Sequence, residues 1–82
     1  MLDVKIPIFD AVGTGENITK LRKQKHLSVR EIQEVFGFET PQAIYKWQHG
    51  SAMPTIESLA SLAAIFEVKV DDILVFHEQQ AA

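Results

Sequence analysis

The sequence predicts an all-α fold, a compact five-helix bundle with a short extended N-terminal segment. Three observations predict it. Apolar residues recur at three- and four-residue spacing in five successive windows. Helix start residues such as Ser28, Thr40 and Thr55 and stop residues such as Gly37 and Gly50 bound those windows. Period-two alternation marks residues 2–9, "LDVKIPIF". The chain has 82 residues, enough for one domain and too few for two.

The extended segment comes first, and Pro7 limits it to an edge because proline has no N–H for a ladder. It is expected either to pack on the bundle or to pair with a second copy. The first helix is expected from Thr14 or Gly15 to Lys25, with Ile18 and Leu21 inward. Lys20, Arg22, Lys23 and Lys25 fill its C-terminal part, where cations suit the macrodipole. The second is announced by "LSVREI": Ser28 and Glu31 form a capping box, with Leu27 and Ile32 as a hydrophobic staple. Ile32, Val35 and Phe36 are its expected buried stripe, and Gly37 ends it.

The third helix takes Thr40 as N-cap and Pro41 as first residue, buries Ile44 and Trp47, and ends at Gly50. Thr55 caps the fourth, whose apolar face is Ile56, Leu59, Ala60, Leu62, Ala63 and Phe66. The fifth is "VDDILVF", with Lys69 a poor cap that Asp71 and Asp72 offset through the dipole. "HEQQAA" reads as a frayed tail. The domain boundaries are then an extended arm at 1–13, the helical domain at 14–76 and the tail at 77–82.

Composition narrows the function. The chain is 46% hydrophobic and 23% charged, which suits a small core, and it has no cysteine for disulfides or thiolate metal sites. A cytoplasmic location is expected. The start lacks the basic region of a signal peptide, and no apolar run approaches the twenty or so residues a membrane span needs. His26, His49 and His77 have no metal-site spacing, and no nucleophile–base–acid set, phosphate-cradling loop or carboxylate pair stands out. Neither an enzyme nor a cofactor is expected. The net charge is −3, but residues 20–50 carry +3, whereas residues 51–82 carry −4 and the first nineteen −2. An acidic chain with a basic middle can present a local positive face.

That middle holds an unusual helix, "TPQAIYKWQHG". With Ile44 and Trp47 inward, the opposite face carries Gln42, Tyr45, Lys46 and His49 at i, i+3, i+4 and i+7. A carboxamide, a cation and a flat hydroxylated ring suit base edges in a major groove: Gln pairs with adenine, Lys reaches guanine O6 and N7. Ser28 and Thr40 lie at expected helix N-termini, where N–H groups hold phosphate. His49 and Ser51, at the other end, complete the expected phosphate contacts. The short link "GFET" joins the second and third helices as in a helix-turn-helix.

From about Asn17 to Val75 the chain resembles the DNA-binding domain of lambda repressor and Cro, the XRE or Cro/C1-type helix-turn-helix family. The resemblance rests on the order and spacing of "ITKLRKQKHLSVREIQEVFG", "TPQAIYKWQHG", "MPTIESLASLAAIFEV" and "VDDIL". It implies that the third helix is the recognition helix and that Gln42 and Lys46 occupy its base-reading positions. It also implies that Arg22 meets Gln48, where relatives place a glutamate, so a hydrogen bond replaces an ion pair. Pro41 offers only apolar contact, the turn is one residue longer than usual, and His26 stands where glycine commonly ends the first helix. A left-handed His26 costs about 1 kcal/mol or more relative to glycine. The implied function is a sequence-specific regulator of transcription, a repressor, binding double-stranded DNA as a homodimer. The dimer surface is expected at "LDVKIPIF" or at Val75–Phe76. The alternative is an antitoxin or prophage accessory module that binds a partner protein, a toxin for instance, through the acidic residues 51–82.

Overall fold

A computed structural model describes residues 2–80, ordered as β1 (Lys5–Phe9), α1 (Ala11–Gln24), α2 (Val29–Phe36), α3 (Gln42–His49), α4 (Ile56–Phe66), α5 (Val70–Ile73) and β2 (Phe76–Gln80). The five expected helices are present. A small antiparallel sheet, β1 against β2, joins the two ends of the chain.

The first helix starts at Ala11, ahead of the expected Thr14 or Gly15. Asp10 is its N-cap: the backbone there is extended, and the carboxylate accepts the Gly13 N–H at 2.8 Å. The same carboxylate meets His77 Nε2 at 2.7 Å. The Gly13 N–H first, and His77 second, hold the Asp10 carboxyl below the ordinary aspartate range. Thr14 is buried instead of capping, and its hydroxyl accepts the Val75 N–H at 2.9 Å.

Four helices end in the same way. The left-handed residues are His26 (φ 57°), Gly37 (φ 73°), Gly50 (φ 75°) and Glu67 (φ 58°). Each donates its N–H three residues back, and the next residue donates five back, as Leu27 does to Arg22 O and Phe38 to Gln33 O, both at 3.1 Å. Leu27, Phe38 and Val68 then fold onto the core just after their helices. His26 is therefore left-handed as expected, and Glu67 adopts the same conformation without a sequence signal.

The core gathers Ile18 from α1, Ile32 from α2, Ile44 and Trp47 from α3, Leu59, Leu62, Ala63 and Phe66 from α4, and Ile73 from α5. Three expected core members are absent. Val35 is 68% exposed, because burying Ile32 and Phe36, four apart, turns the intervening position outward. Ile56 is 87% exposed and Ala60 is also exposed, so α4 buries a narrower face than its composition suggests.

The expected fifth helix stops at Ile73, short of Phe76. The Asn17 carboxamide donates to the carbonyls of Asp72 and Ile73 at 2.7 and 3.0 Å, closing the helix, and Leu74 is already extended. Lys69 caps it only through its backbone N–H, which donates to Asp72 Oδ2 at 2.9 Å.

Residues 77–80 of the expected frayed tail are strand, paired from Phe9↔Phe76 to Lys5↔Gln80. The arm and tail of the expected division therefore mate with each other, and α1 begins inside the 1–13 arm. Met1 and residues 81–82 lie outside the described residues. Asp10 N–H donates to Val75 O at 2.9 Å, so by antiparallel alternation the pairs at Ile8 and Ile6 are the hydrogen-bonded ones. Pro7 falls in a non-bonded pair with its nitrogen facing outward, which explains how a proline sits in a strand.

Candidate nucleic-acid interface

The helix-turn-helix is α2, a turn and α3. Gly37 closes α2, and Phe38 in the turn stacks on Phe36 at 5.0 Å between ring centroids. Trp47 meets both rings edge-on, at 5.5 and 6.0 Å. The Gln33 side chain donates to the Phe38 carbonyl at 3.2 Å and fixes the turn from the other side. The extra residue in "GFETPQ" is thus accommodated by an aromatic anchor that the sequence reading missed. A hydrophobic residue directly after a helix-ending glycine was the available signal.

The third helix begins at Gln42, one residue later than expected. Pro41 takes the cap position, its carbonyl accepting the Tyr45 N–H at 3.1 Å, and no side chain caps the helix. Thr40 is exposed and lies outside the helix, so its expected capping role is corrected. Proline can stand there because the first N–H groups lack intrahelical partners.

Three contacts set the position of α3 against α1. Gly15 lies so close that a Cβ there would collide with the carbonyl oxygens of Trp47 and Gln48. Arg22 Nε donates to Gln48 Oε1 at 2.9 Å, the expected hydrogen bond, while its Nη1 donates to Leu27 O at 2.8 Å. One half-buried guanidinium thus ties α1, the loop before α2 and the end of α3 together. At the far end Gly50 sits against the backbone of Val12. Gly15→Ala should destabilise the domain by about 1–3 kcal/mol, the usual cost of forcing atoms into a packed contact. Urea denaturation followed by circular dichroism checks this; an unchanged midpoint would mean the helices separate freely.

With Ile44 fully buried and Trp47 6% exposed, α3 turns Gln42, Tyr45, Lys46 and His49 outward along one stripe. Among the described residues, the side chains of Gln42, Tyr45 and Lys46 make no hydrogen bond or ion pair within the chain. The four phosphate candidates are not gathered in the same way. Only His49 lies on the stripe. Ser28 sits at the start of α2 with its capping box complete, its hydroxyl accepting from Glu31 N–H and Glu31 Oε1 accepting from Ser28 N–H, both at 3.0 Å. The Glu31 carboxylate therefore already occupies the anion position at that helix end. Thr40 is in the turn before α3. Ser51 follows α3, with its hydroxyl toward the Lys46 carbonyl at 3.4 Å. Arg30 pairs with Glu34 at 3.4 Å on the solvated side of α2.

Known proteins share this arrangement. A helix-turn-helix family model matches residues 18–73. The HTH-type transcriptional activator BcrR of Enterococcus faecalis is 32% identical over 60 residues, which are 73% of this chain and 29% of BcrR. The chain thus spans less than a third of that relative. The BldD DNA-binding domain of S. venezulae superposes with a TM-score of 0.67 at 24% identity, covering 79% of this chain and 96% of that one. The restriction-modification controller protein C.AhdI of Aeromonas hydrophila gives 0.70 at 19% identity, covering 78% and 96%. Those two likenesses establish the fold. Together with the matched segment, they show that the chain belongs to the XRE, Cro/C1-type helix-turn-helix family of DNA-binding regulators.

Proposed function

We propose that this chain is a sequence-specific regulator of transcription, acting as a repressor, that lays α3 in the major groove of double-stranded DNA. One observation carries the reading: α3 buries Ile44 and Trp47 and leaves Gln42, Tyr45 and Lys46 outward without partners among the described residues. Gln42 reads adenine or guanine through its carboxamide, Lys46 reads guanine O6 and N7, and Tyr45 stacks or donates between them. His49 and the hydroxyls of Thr40 and Ser51 approach phosphates on either side of the groove, and Ser28, whose backbone N–H is taken by Glu31, reaches one only by donating its hydroxyl proton. Two copies bind a palindrome whose half-sites are about one helical turn, roughly 34 Å, apart. Bound over a promoter, such a pair blocks transcription by occupying the site.

The test uses duplexes recovered by the protein from fragmented genomic DNA, with affinity measured against salt. Each neutralised phosphate contributes about −0.9 to the slope of log K on log salt. Two copies with a couple of cations each should give a slope steeper than about −3. A flat response would leave no role for the basic segment and would sink this reading. A second reading keeps the fold but gives it a protein partner, such as a toxin, through residues 51–82. It is favoured by the acidic charge there and by Met53 and Ile56, 52% and 87% exposed. Co-purification of such a partner with little salt-dependent DNA binding would favour it over the first.

A further inference from the structure

The Arg22 guanidinium carries a charge that no carboxylate answers: among the described residues it forms no ion pair. Its Nε donates to Gln48 Oε1 at 2.9 Å and its Nη1 to Leu27 O at 2.8 Å. A guanidinium N–H can meet only the oxygen of a carboxamide, so the Gln48 Nε2 group is turned away from Arg22. Neither Gln48 Nε2 nor Arg22 Nη2 has a hydrogen-bond partner among the described residues. No buried side-chain nitrogen or oxygen of those residues goes unpaired, so both nitrogens reach solvent. The two free donor groups therefore flank one hydrogen bond between α1 and the end of α3. Gln48 follows Tyr45 by three residues, so it borders the exposed stripe of α3 on the side of α1. An α-helix with its side chains is about 10–12 Å across, and the major groove is about 12 Å wide. A helix lying there turns its outer stripe to the bases and its flanks to the phosphates.

We infer that Gln48 and Arg22 together hold a DNA phosphate beside α3, Gln48 Nε2 donating to a phosphate oxygen while Arg22 supplies the uncompensated charge. This rests on the reading that α3 lies in the major groove, and it adds a contact beyond Ser28, Thr40, His49 and Ser51. The residue type at position 48 is what permits it. A glutamate there would accept from Arg22 equally well, but it would neutralise the guanidinium and has no proton to donate. The pair would then be closed on itself. Glutamine makes the same bond to Arg22 and leaves the pair open to an anion. A bridge that served only to fix α3 against α1 would gain from the acid, because a charge-assisted bond is the stronger one. The two roles therefore predict opposite effects of one substitution.

The experiment compares Gln48→Glu and Gln48→Met with the parent, in the full chain, across a range of salt. The probes are a duplex recovered by the protein from fragmented genomic DNA and an unrelated duplex of equal length. Gln48→Glu should keep a urea midpoint at or above the parent's. Its affinity for both duplexes should nevertheless fall at least about tenfold. Its slope of log K on log salt should become shallower by about 0.9 per copy bound, because Arg22 is neutralised. Gln48→Met has neither donor nor charge and should lose affinity severalfold on both duplexes with the slope unchanged. Phosphate contacts carry no sequence information, so the preference between the two duplexes should persist in both variants. Gln48→Glu binding as tightly as the parent, or more tightly, overturns the inference. So does Gln48→Met binding like the parent, or either variant changing the preference. If Gln48→Glu loses its helices by circular dichroism, Gln48→Met alone decides. A parent without salt-dependent binding overturns the major-groove reading itself, whereas a salt-dependent parent with unaffected variants overturns only this contact.

Discussion

Trp47→Ala is expected to destabilise the domain by about 3–5 kcal/mol, the usual cost of removing a large buried aromatic. The whole domain should be worth only about 4–12 kcal/mol at its size, so the loss is a large share of the total. Two consequences of the geometry set this magnitude. Trp47 is 6% exposed, so nearly all of its surface would become a cavity. It is also the ring that meets both Phe36 and Phe38 edge-on, so its removal loosens the turn as well as α3. Thermal melts by circular dichroism should show a fall of more than about 12 °C, since each kcal/mol shifts a domain of this size by about 4–8 °C. Trp47→Phe should fall much less because it keeps a ring in the cluster. A melting point for Trp47→Ala within a few degrees of the parent would mean that the aromatic cluster does not hold the turn, and the position of α3 would need another explanation.

How far the sequence could be read follows the range of each interaction. Ser28 with Glu31, Thr55, and the glycines at 37 and 50 act on groups within a few positions of themselves, and the helices they bound are where they were expected. Ile44 and Trp47 were legible because a three-residue spacing on an eight-residue helix leaves few ways to face a core. What was misread depends on partners far along the chain. Thr14 looked like a helix start, yet its hydroxyl is taken by Val75, sixty-one residues away. Gly15 looked like a possible helix start, whereas it lies inside α1, where the close passage of α3 leaves no room for a side chain. The tail lacked any strand signal because "FHEQQ" is polar; only its mate β1 makes it a strand.

Gln42→Ala and Lys46→Ala should separate sequence reading from charge. Both side chains are exposed on α3, so truncation should leave stability within about 0.5 kcal/mol of the parent's. Any loss of binding is then a loss of contact with DNA. A bidentate amide–base pair contributes about 1–3 kcal/mol of discrimination, so Gln42→Ala should weaken binding to the recovered duplex by roughly 5- to 150-fold per half-site. Its affinity for unrelated DNA and its salt slope should stay as they were, because no charge has been removed. Lys46→Ala should lose affinity on both kinds of duplex, and its salt slope should fall by about one per copy bound. Selection from a randomised duplex pool gives the sharper readout. With Gln42→Ala the preference should relax at one base pair in each half-site and persist elsewhere. If the two variants bind and select as the parent does, α3 does not read bases. The buried positions of Ile44 and Trp47 would then orient the helix toward a protein surface, which is the outcome the acidic C-terminal half would favour.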